Sequence, residues 1–364
     1  MKTTLMSATA LALALTLGAC QRNDQENAAD RGGAQTAEAP AAAGTTAPAA
    51  EGSATEAAFS ANAVDAATFD AAAAQGTERT PAVLRAQVLL DRLRFSPGVI
   101  DGTMGENVRQ AVAAFEEANG LQVDGQLDEA VFAKLVELDS QAVLTEYTLT
   151  EADVQGPFVE TIPDDLEAQG QLPAMSYTGP LELLAERFHM TEEALQALNP
   201  NADFRKAGTK VQVANVGNPG LPEAVQLIEV DKAEKAVKVY GANRKLIAFY
   251  PATIGSTTLP TPEGSMTVKG VAPEPDYTFD PKKINSGKAD KIVKVAAGPN
   301  NPVGSVWIDL TKETYGIHGT PEPRQIGKTA SSGCVRLTNW DAEELASTVK
   351  PGVKVVFVGS GQAA

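Results

Sequence analysis

The spacing of apolar positions changes character three times along the chain. Residues 21 to 78 are rich in Ala, Thr, Gly, Glu and Gln, with Phe59 and Phe69 as the sole aromatics. Such a stretch buries too little apolar surface to offset its ordering entropy, and it is expected to be a disordered linker. From Thr80 the period becomes helical. Leu84, Val88, Leu89 and Leu93 share one face, and Val108, Ala111, Val112, Phe115 and Ala118 share another. Asp101-Gly102 and Asp124-Gly125 punctuate these helices as turns, Asp accepting local backbone bonds and Gly supplying a positive φ. A second unit, from about Ser176 to Val216, reads as β-α-α-β. Tyr177 opens it, Leu183, Leu184, Ala185 and Phe188 mark one helix and Leu195 and Leu198 a second, and Val211-Gln212-Val213 is the closing strand. From Val225 strands dominate. Leu227–Val230, Ala236–Tyr240 and Leu246–Tyr250 are separated by polar turns, as in a meander, with later strands at Met266–Val268, Ser305–Ile308 and Val353–Phe357. One helix, Asp341 to Val349, is capped by Thr338 or Asn339 and stopped before Pro351-Gly352. The expected architecture is multidomain: a small three-helix domain (79–140), a connecting segment with a small α+β module (141–220), and a mainly-β sandwich or barrel (221–360).

The N-terminus changes the compartment. Lys2, an apolar run from Leu5 to Leu17 and then Leu17-Gly18-Ala19-Cys20 read as a signal segment (1–20), too short for a permanent membrane helix. The cut before a cysteine resembles a bacterial lipoprotein signal, which implies lipid attachment at Cys20, and Gln21 in place of Asp implies an outer-membrane anchor facing the periplasm. If Cys20 carries lipid, Cys334 is left as a lone exported thiol, which is a liability unless it is buried or used.

The formal charge of −16 is uneven, with 17 basic against 15 acidic residues from Leu221 onward. The acidic N-terminal part therefore excludes nucleic acid and electrostatic attachment to anionic lipid. Two histidines in separate units and one free thiol leave no credible zinc set, so no metal or cofactor is expected.

The segment that carries chemistry is Tyr315-Gly316-Ile317-His318-Gly319-Thr320 followed by Ser331-Ser332-Gly333-Cys334-Val335-Arg336-Leu337. The two reactive side chains are sixteen residues apart, too far for one helix face, so they meet only if the chain returns between two strands. Pro321, Pro323 and Gly327 allow that return. An adjacent imidazole is expected to raise the thiolate fraction of Cys334. His189 is read as a helix-end or surface histidine, which leaves His318 as the base.

These residues resemble the catalytic motif of the L,D-transpeptidase (YkuD-type) family, and Thr261-Pro262-Glu263-Gly264 and Gly298–Gly304 extend the resemblance across the C-terminal domain. It implies that Cys334 attacks an L-centre–D-Ala bond in a peptidoglycan tetrapeptide stem while His318 moves the proton. The Gly319 carbonyl would orient the imidazole, and the N–H groups of Gly333 and Cys334 would hold the oxyanion. Arg336, with Ser331 and Ser332, would bind substrate, Arg336 taking a carboxylate in a forked pair unless it is tied up by Asp341. Ser332 stands where the family has a second histidine. The resemblance also implies carbapenems as trapping acyl donors. The acceptor stays open among a second stem peptide, an outer-membrane protein and water, the last giving an L,D-carboxypeptidase. A non-catalytic wall-binding lipoprotein is the rival from another class.

The helical unit, with Asp101-Gly102-x-x-Gly105, Phe115 and Gly120–Gly125, resembles the peptidoglycan-binding domain, Glu116 replacing its usual Gln. The second unit resembles a LysM glycan binder, with Thr178-Gly179-Pro180 in place of the usual turn. Lys282, Lys283, Lys288, Lys291 and Lys294 are read as a solvated loop rather than an acceptor-binding lid. A chain starting near Leu221 is expected to carry the chemistry by itself.

Overall fold

The computed structural model describes residues 59–359 apart from 218–219, 256–260, 284–288 and 332. The expectations placed on the signal segment, on Cys20, on the linker up to residue 58, on Lys288 and on Ser332 lie outside these residues.

The last part of the expected linker is folded. Ser60 and Asp70 cap two short helices, α1 (Ala61–Asp65) and α2 (Ala71–Gln75), and Val64 and Ala73 are buried beneath them. The Asp65 carboxylate accepts the N–H groups of Val143 (2.8 Å) and Leu144 (3.2 Å), which ties this stretch to a distant strand. Alanine-rich helices this short form because a neighbouring core covers them, and composition alone does not reveal that cover.

The helical unit proper contains α3 (Pro81–Arg92), α4 (Glu106–Asn119) and α5 (Glu129–Leu138). Thr80 caps α3 with Pro81 in its first turn, and Asp128 caps α5. The expected apolar faces are buried except at their C-terminal ends, where Leu93 is half-buried and Ala118 is exposed, and Phe95 meets Phe115 edge-on at 5.5 Å. Glu116 is also buried. Its carboxylate accepts the N–H groups of Asp124 and Gly125, both at 2.9 Å, so it braces the turn into α5 rather than facing a ligand.

In the next module, β1 (Leu144–Thr148) pairs antiparallel with β2 (Lys210–Ala214). Between them run α6 (Glu151–Gln155), α7 (Leu166–Gln169), α8 (Pro180–Arg187) and α9 (Glu192–Leu198). The strand partner of Val211–Val213 is therefore Thr145–Tyr147, and Tyr177 lies in no strand. Thr178-Gly179-Pro180 instead starts α8, with the Thr178 N–H and hydroxyl both donating to Glu182 Oε2.

The C-terminal domain is built from β3 (Leu227–Asp231), β4 (Ala236–Tyr240), β5 (Leu246–Pro251), β6 (Gly264–Pro273), β7 (Tyr277–Phe279), β8 (Val293–Val295), β9 (Val306–Leu310), β10 (Gly316–His318), β11 (Val335–Arg336), α10 (Asn339–Thr348) and β12 (Lys354–Val358). Eight strands form one sheet in the order β11-β10-β9-β6-β12-β3-β4-β5. The meander β3-β4-β5 is present, but β12 inserts parallel to β3. Register shifts at Val239/Tyr240 and Val268/Gly270 bend the sheet, as bulges do. Its two ends then approach through the bridges Thr253↔Arg336 and Gly255↔Ser331, so the sheet curls almost to closure. Ile228, Val239, Ile308, Ile317, Val335, Leu337 and Leu345 fill the interior.

The three modules share cores. Tyr240, Leu246 and Phe249 of the sheet pack with the helical unit, and Phe95 bridges to Phe249. The β7–β8 ribbon lies outside the main sheet, and Phe279, Val293 and Val295 pack against Leu166 and Met175 of the preceding module.

Candidate active site

Strands β10 and β11 run parallel, with Ile317 opposite Val335 and His318 opposite Arg336. Successive side chains on a strand alternate between faces. Ile317, Val335 and Leu337 point into the core, so His318 and Arg336 emerge together on the other face, with Cys334 immediately before β11 and its Sγ at Thr314 O, just upstream of β10. The expected return of the chain between two strands is thus realised at the seam where the curled sheet closes.

His318 is 3% exposed. Its ring stacks on Trp307 at 5.3 Å, and Nδ1 lies 2.7 Å from the Gly319 carbonyl oxygen. A carbonyl can only accept, so Nδ1 carries the proton and Nε2 keeps the lone pair of the neutral ring. Burial, reinforced by the Arg336 charge, pushes the imidazole down to about 3, against the pull of the Gly319 and Val303 carbonyls. The half-buried Cys334 thiol donates to Thr314 O at 3.4 Å, and burial raises its pKa although Gly316 and Arg336 favour the thiolate. The expectation of an enlarged thiolate fraction is therefore reversed. Desolvation disfavours both charged forms, so thiol and imidazole each rest neutral. Alkylation of Cys334 by iodoacetamide should accordingly be slow at pH 7 and climb only as pH passes the ordinary thiol value of 9.0. A fast plateau reached below pH 7 in the rate–pH profile would instead reveal an ion pair.

The loop before Cys334 is held from several sides. Ser331 is buried, its N–H donates to Ile254 O (2.6 Å), and its hydroxyl donates to Cys334 O (2.5 Å) while accepting the Gly333 N–H (3.1 Å). Ser331 is thus a brace of the nucleophile loop rather than an open substrate contact. Gly333, at φ +112°, turns its own N–H inward onto that hydroxyl, so one of the two expected oxyanion donors is already engaged. Few residues other than glycine adopt that backbone angle. The buried Thr261 hydroxyl donates to Gly333 O at 3.1 Å and accepts the Gly255 N–H at 2.6 Å.

Arg336 makes no ion pair among the described residues, and its Nε is buried without a hydrogen-bond partner. Asp341, the alternative partner, accepts instead from Ser96 Oγ at 3.0 Å. Arg336, Thr320, Asn300, Asp164 and Gln169 line a cavity of about 530 Å³, one wall of which comes from the segment around α7. A guanidinium with an unused donor at such a cavity can bind a carboxylate.

Three contributors have no local sequence signal. Tyr277, on β7, is half-buried and near enough to Cys334 that desolvation and the sulfur both raise its phenol. Asn339 is no cap, because Thr338 Oγ1 takes that role and the Asn339 side chain turns to the loops around His318. Glu186 reaches Asn339 from α8. His189 lies elsewhere, its Nδ1 3.1 Å from both Asp91 oxygens and its ring stacked on Trp340 at 5.0 Å. The loop lysines divide: Lys283 pairs with Glu313, Lys291 with Glu167, and Lys294, inside β8, with Asp276.

A curled sheet that brings an oriented imidazole and an arginine to one face beside a cleft, with a thiol just before the arginine's strand, has the parts of an acyl-transfer enzyme. The family model for the YkuD L,D-transpeptidase catalytic domain matches residues 225–358, and that for a putative peptidoglycan binding domain matches residues 79–135. The chain is 32% identical to putative L,D-transpeptidase YkuD of Bacillus licheniformis over 48% of its own length and 91% of that protein. Against the Bacillus subtilis protein of the same name it is 30% identical, over 49% of this chain and 92% of that one. The probable L,D-transpeptidase ErfK/SrfK of Escherichia coli is 29% identical over 50% of this chain and 60% of its own length. The chain belongs to the L,D-transpeptidase family.

Proposed function

We propose that the chain is a cysteine-dependent L,D-transpeptidase acting on peptidoglycan tetrapeptide stems. Cys334 Sγ attacks the carbonyl carbon between the L-centre and the terminal D-alanine as its proton passes to His318 Nε2. The tetrahedral intermediate collapses to a thioester, and D-alanine leaves with the proton returned by His318. An amine of a second stem then attacks the thioester and frees the thiol. The observation that carries this reading is the pairing of His318 with Arg336 across β10 and β11, with Cys334 immediately before β11 and His318 Nδ1 fixed by the Gly319 carbonyl. A neutral imidazole is the form that can accept the proton, which is the state that burial imposes.

The Arg336 guanidinium, lacking a partner for Nε, suits the stem's terminal carboxylate. The peptidoglycan-binding-like and LysM-like modules would hold the enzyme on its polymeric substrate, and lipid on Cys20 would keep it at the outer membrane's periplasmic side. An outer-membrane protein is an alternative acceptor, and attack by water would give a carboxypeptidase. Mass spectrometry of muropeptides after incubating sacculi with the purified protein separates these outcomes. Stem-to-stem cross-links that depend on Cys334 are expected, whereas stems only shortened by one alanine would identify hydrolysis, and no change would favour a wall-binding role.

A further inference from the structure

Asn339 joins the histidine loop to the module that precedes the catalytic domain. It is 2% exposed and uses its amide fully. Oδ1 accepts the N–H groups of Thr320 (3.0 Å) and Ser305 (3.1 Å), and Nδ2 donates to Pro299 O (3.1 Å) and to Glu186 Oε1 (2.7 Å). The amide is pressed against the peptide that orients the imidazole. A β carbon on Gly319 would lie 2.1 Å from Asn339 Oδ1, so only glycine admits this approach. Gly319 is also the residue whose carbonyl holds His318 Nδ1.

The amide has two orientations, and one of them is useless here. Flipped, it would aim an NH2 at two N–H donors and break both bonds to the loop. A carboxylate can only accept, so Glu186 selects the orientation that presents Oδ1 to Thr320 and Ser305. Pro299 O makes the same demand, and Glu186 adds a second acceptor on the same side of the amide, at the shorter distance of 2.7 Å. Glu186 sits on α8, outside both segments that match family models. Its surroundings resist ionisation, since burial and the neighbouring Glu182 and Glu343 push the carboxyl up to about 7, partly opposed by Asn339 and by Tyr177, whose hydroxyl is 3.3 Å away. A half-buried carboxyl among other carboxylates costs stability, which its hydrogen bonds to Asn339 and Tyr177 only partly offset.

We propose that Glu186 is a positioning residue for acyl transfer: from the accessory module it locks the Asn339 amide and, through the Gly319–Thr320 turn, the orientation of His318. The inference rests on the cysteine-dependent reading above.

The test uses full-length protein with Glu186→Met, which keeps the length of the side chain and removes the acceptor, and Glu186→Gln, which restores an acceptor oxygen. With a tetrapeptide stem as donor, Glu186→Met should lower kcat about tenfold with KM within about twofold, as for a small misplacement of a reacting group, and Glu186→Gln should recover most of the loss. The hydrogen-bonded Nδ1 proton of His318, read by nitrogen-edited NMR, should shift or broaden in the methionine variant and return in the glutamine variant. A merely structural role would change thermal stability and leave that signal and kcat of the folded fraction untouched, which would overturn the proposal. Equal losses in both variants would also overturn it. If wild type forms no thioester at Cys334, the underlying reading fails, and the His318 signal alone then decides whether Glu186 orients the ring.

Discussion

Cys334→Ala is expected to abolish acyl transfer to below about one part in a thousand of the wild-type rate, leaving the fold intact, because the proposed covalent step belongs to a sulfur that is only half buried. Intact-protein mass after exposure to a carbapenem should show one adduct in wild type and none in this variant. An adduct persisting without the thiol would place the nucleophile elsewhere. His318→Gln should lose turnover nearly as completely, by roughly two to four orders of magnitude, since the neutral imidazole is the base for the attacking thiol. Its alkylation at high pH should nevertheless stay close to wild type, because the resting thiol is not paired with an imidazolium. A large drop in high-pH alkylation would argue for the ion pair that the burial of both groups speaks against.

A chain beginning at Leu221 is expected to lose most acyl-transfer activity, the reverse of what the separation of motifs suggests. The β7–β8 ribbon has only three residue pairs, and an isolated two-stranded ribbon is marginal in water. Its buried partners Leu166 and Met175 lie upstream of the cut, and Tyr277 on the ribbon is close enough to Cys334 to feel its charge. Met175 also holds the Gly298–Gly304 loop, its N–H donating to Ala297 O (3.0 Å) and its carbonyl accepting from Asn300 (2.9 Å). In the intact chain, Met175→Ala should loosen the same contacts, at about 2–5 kcal/mol for emptying a fully buried site. The check is the rate of carbapenem adduct formation on both proteins, with circular dichroism to confirm folding. Wild-type acylation of the folded truncated chain would mean that the catalytic domain assembles its site unaided.

The helical faces of α3 and α4, the strands β3, β4 and β5 and the helix α10 follow from periodicity and punctuation, because the chain spells out their apolar runs and the turns between them locally, although β5 is buried on both faces. The partner of β2 was less legible. Strand β1, Leu144-Thr-Glu-Tyr-Thr148, buries only Leu144 fully and lacks the alternation that marks a strand. Helices α1 and α2 are similar, with alanines that a disordered segment would also carry and a burial supplied by the rest of the fold. At the site, sequence by itself determined which residue types could react: one thiol, one histidine in the same module, and a glycine on either side of the turn that joins them. Tertiary structure decided their state. Pairing of β10 with β11 put His318 and Arg336 on one face with Cys334 just before β11, and burial then made thiol and imidazole neutral where their motif suggests an ion pair. It also turned Ser331 and Gly333 toward each other and brought Glu186 to Asn339 across 153 positions of sequence. Desolvation and long-range hydrogen bonds depend on what surrounds a residue in space, and no spacing along the chain encodes that surrounding.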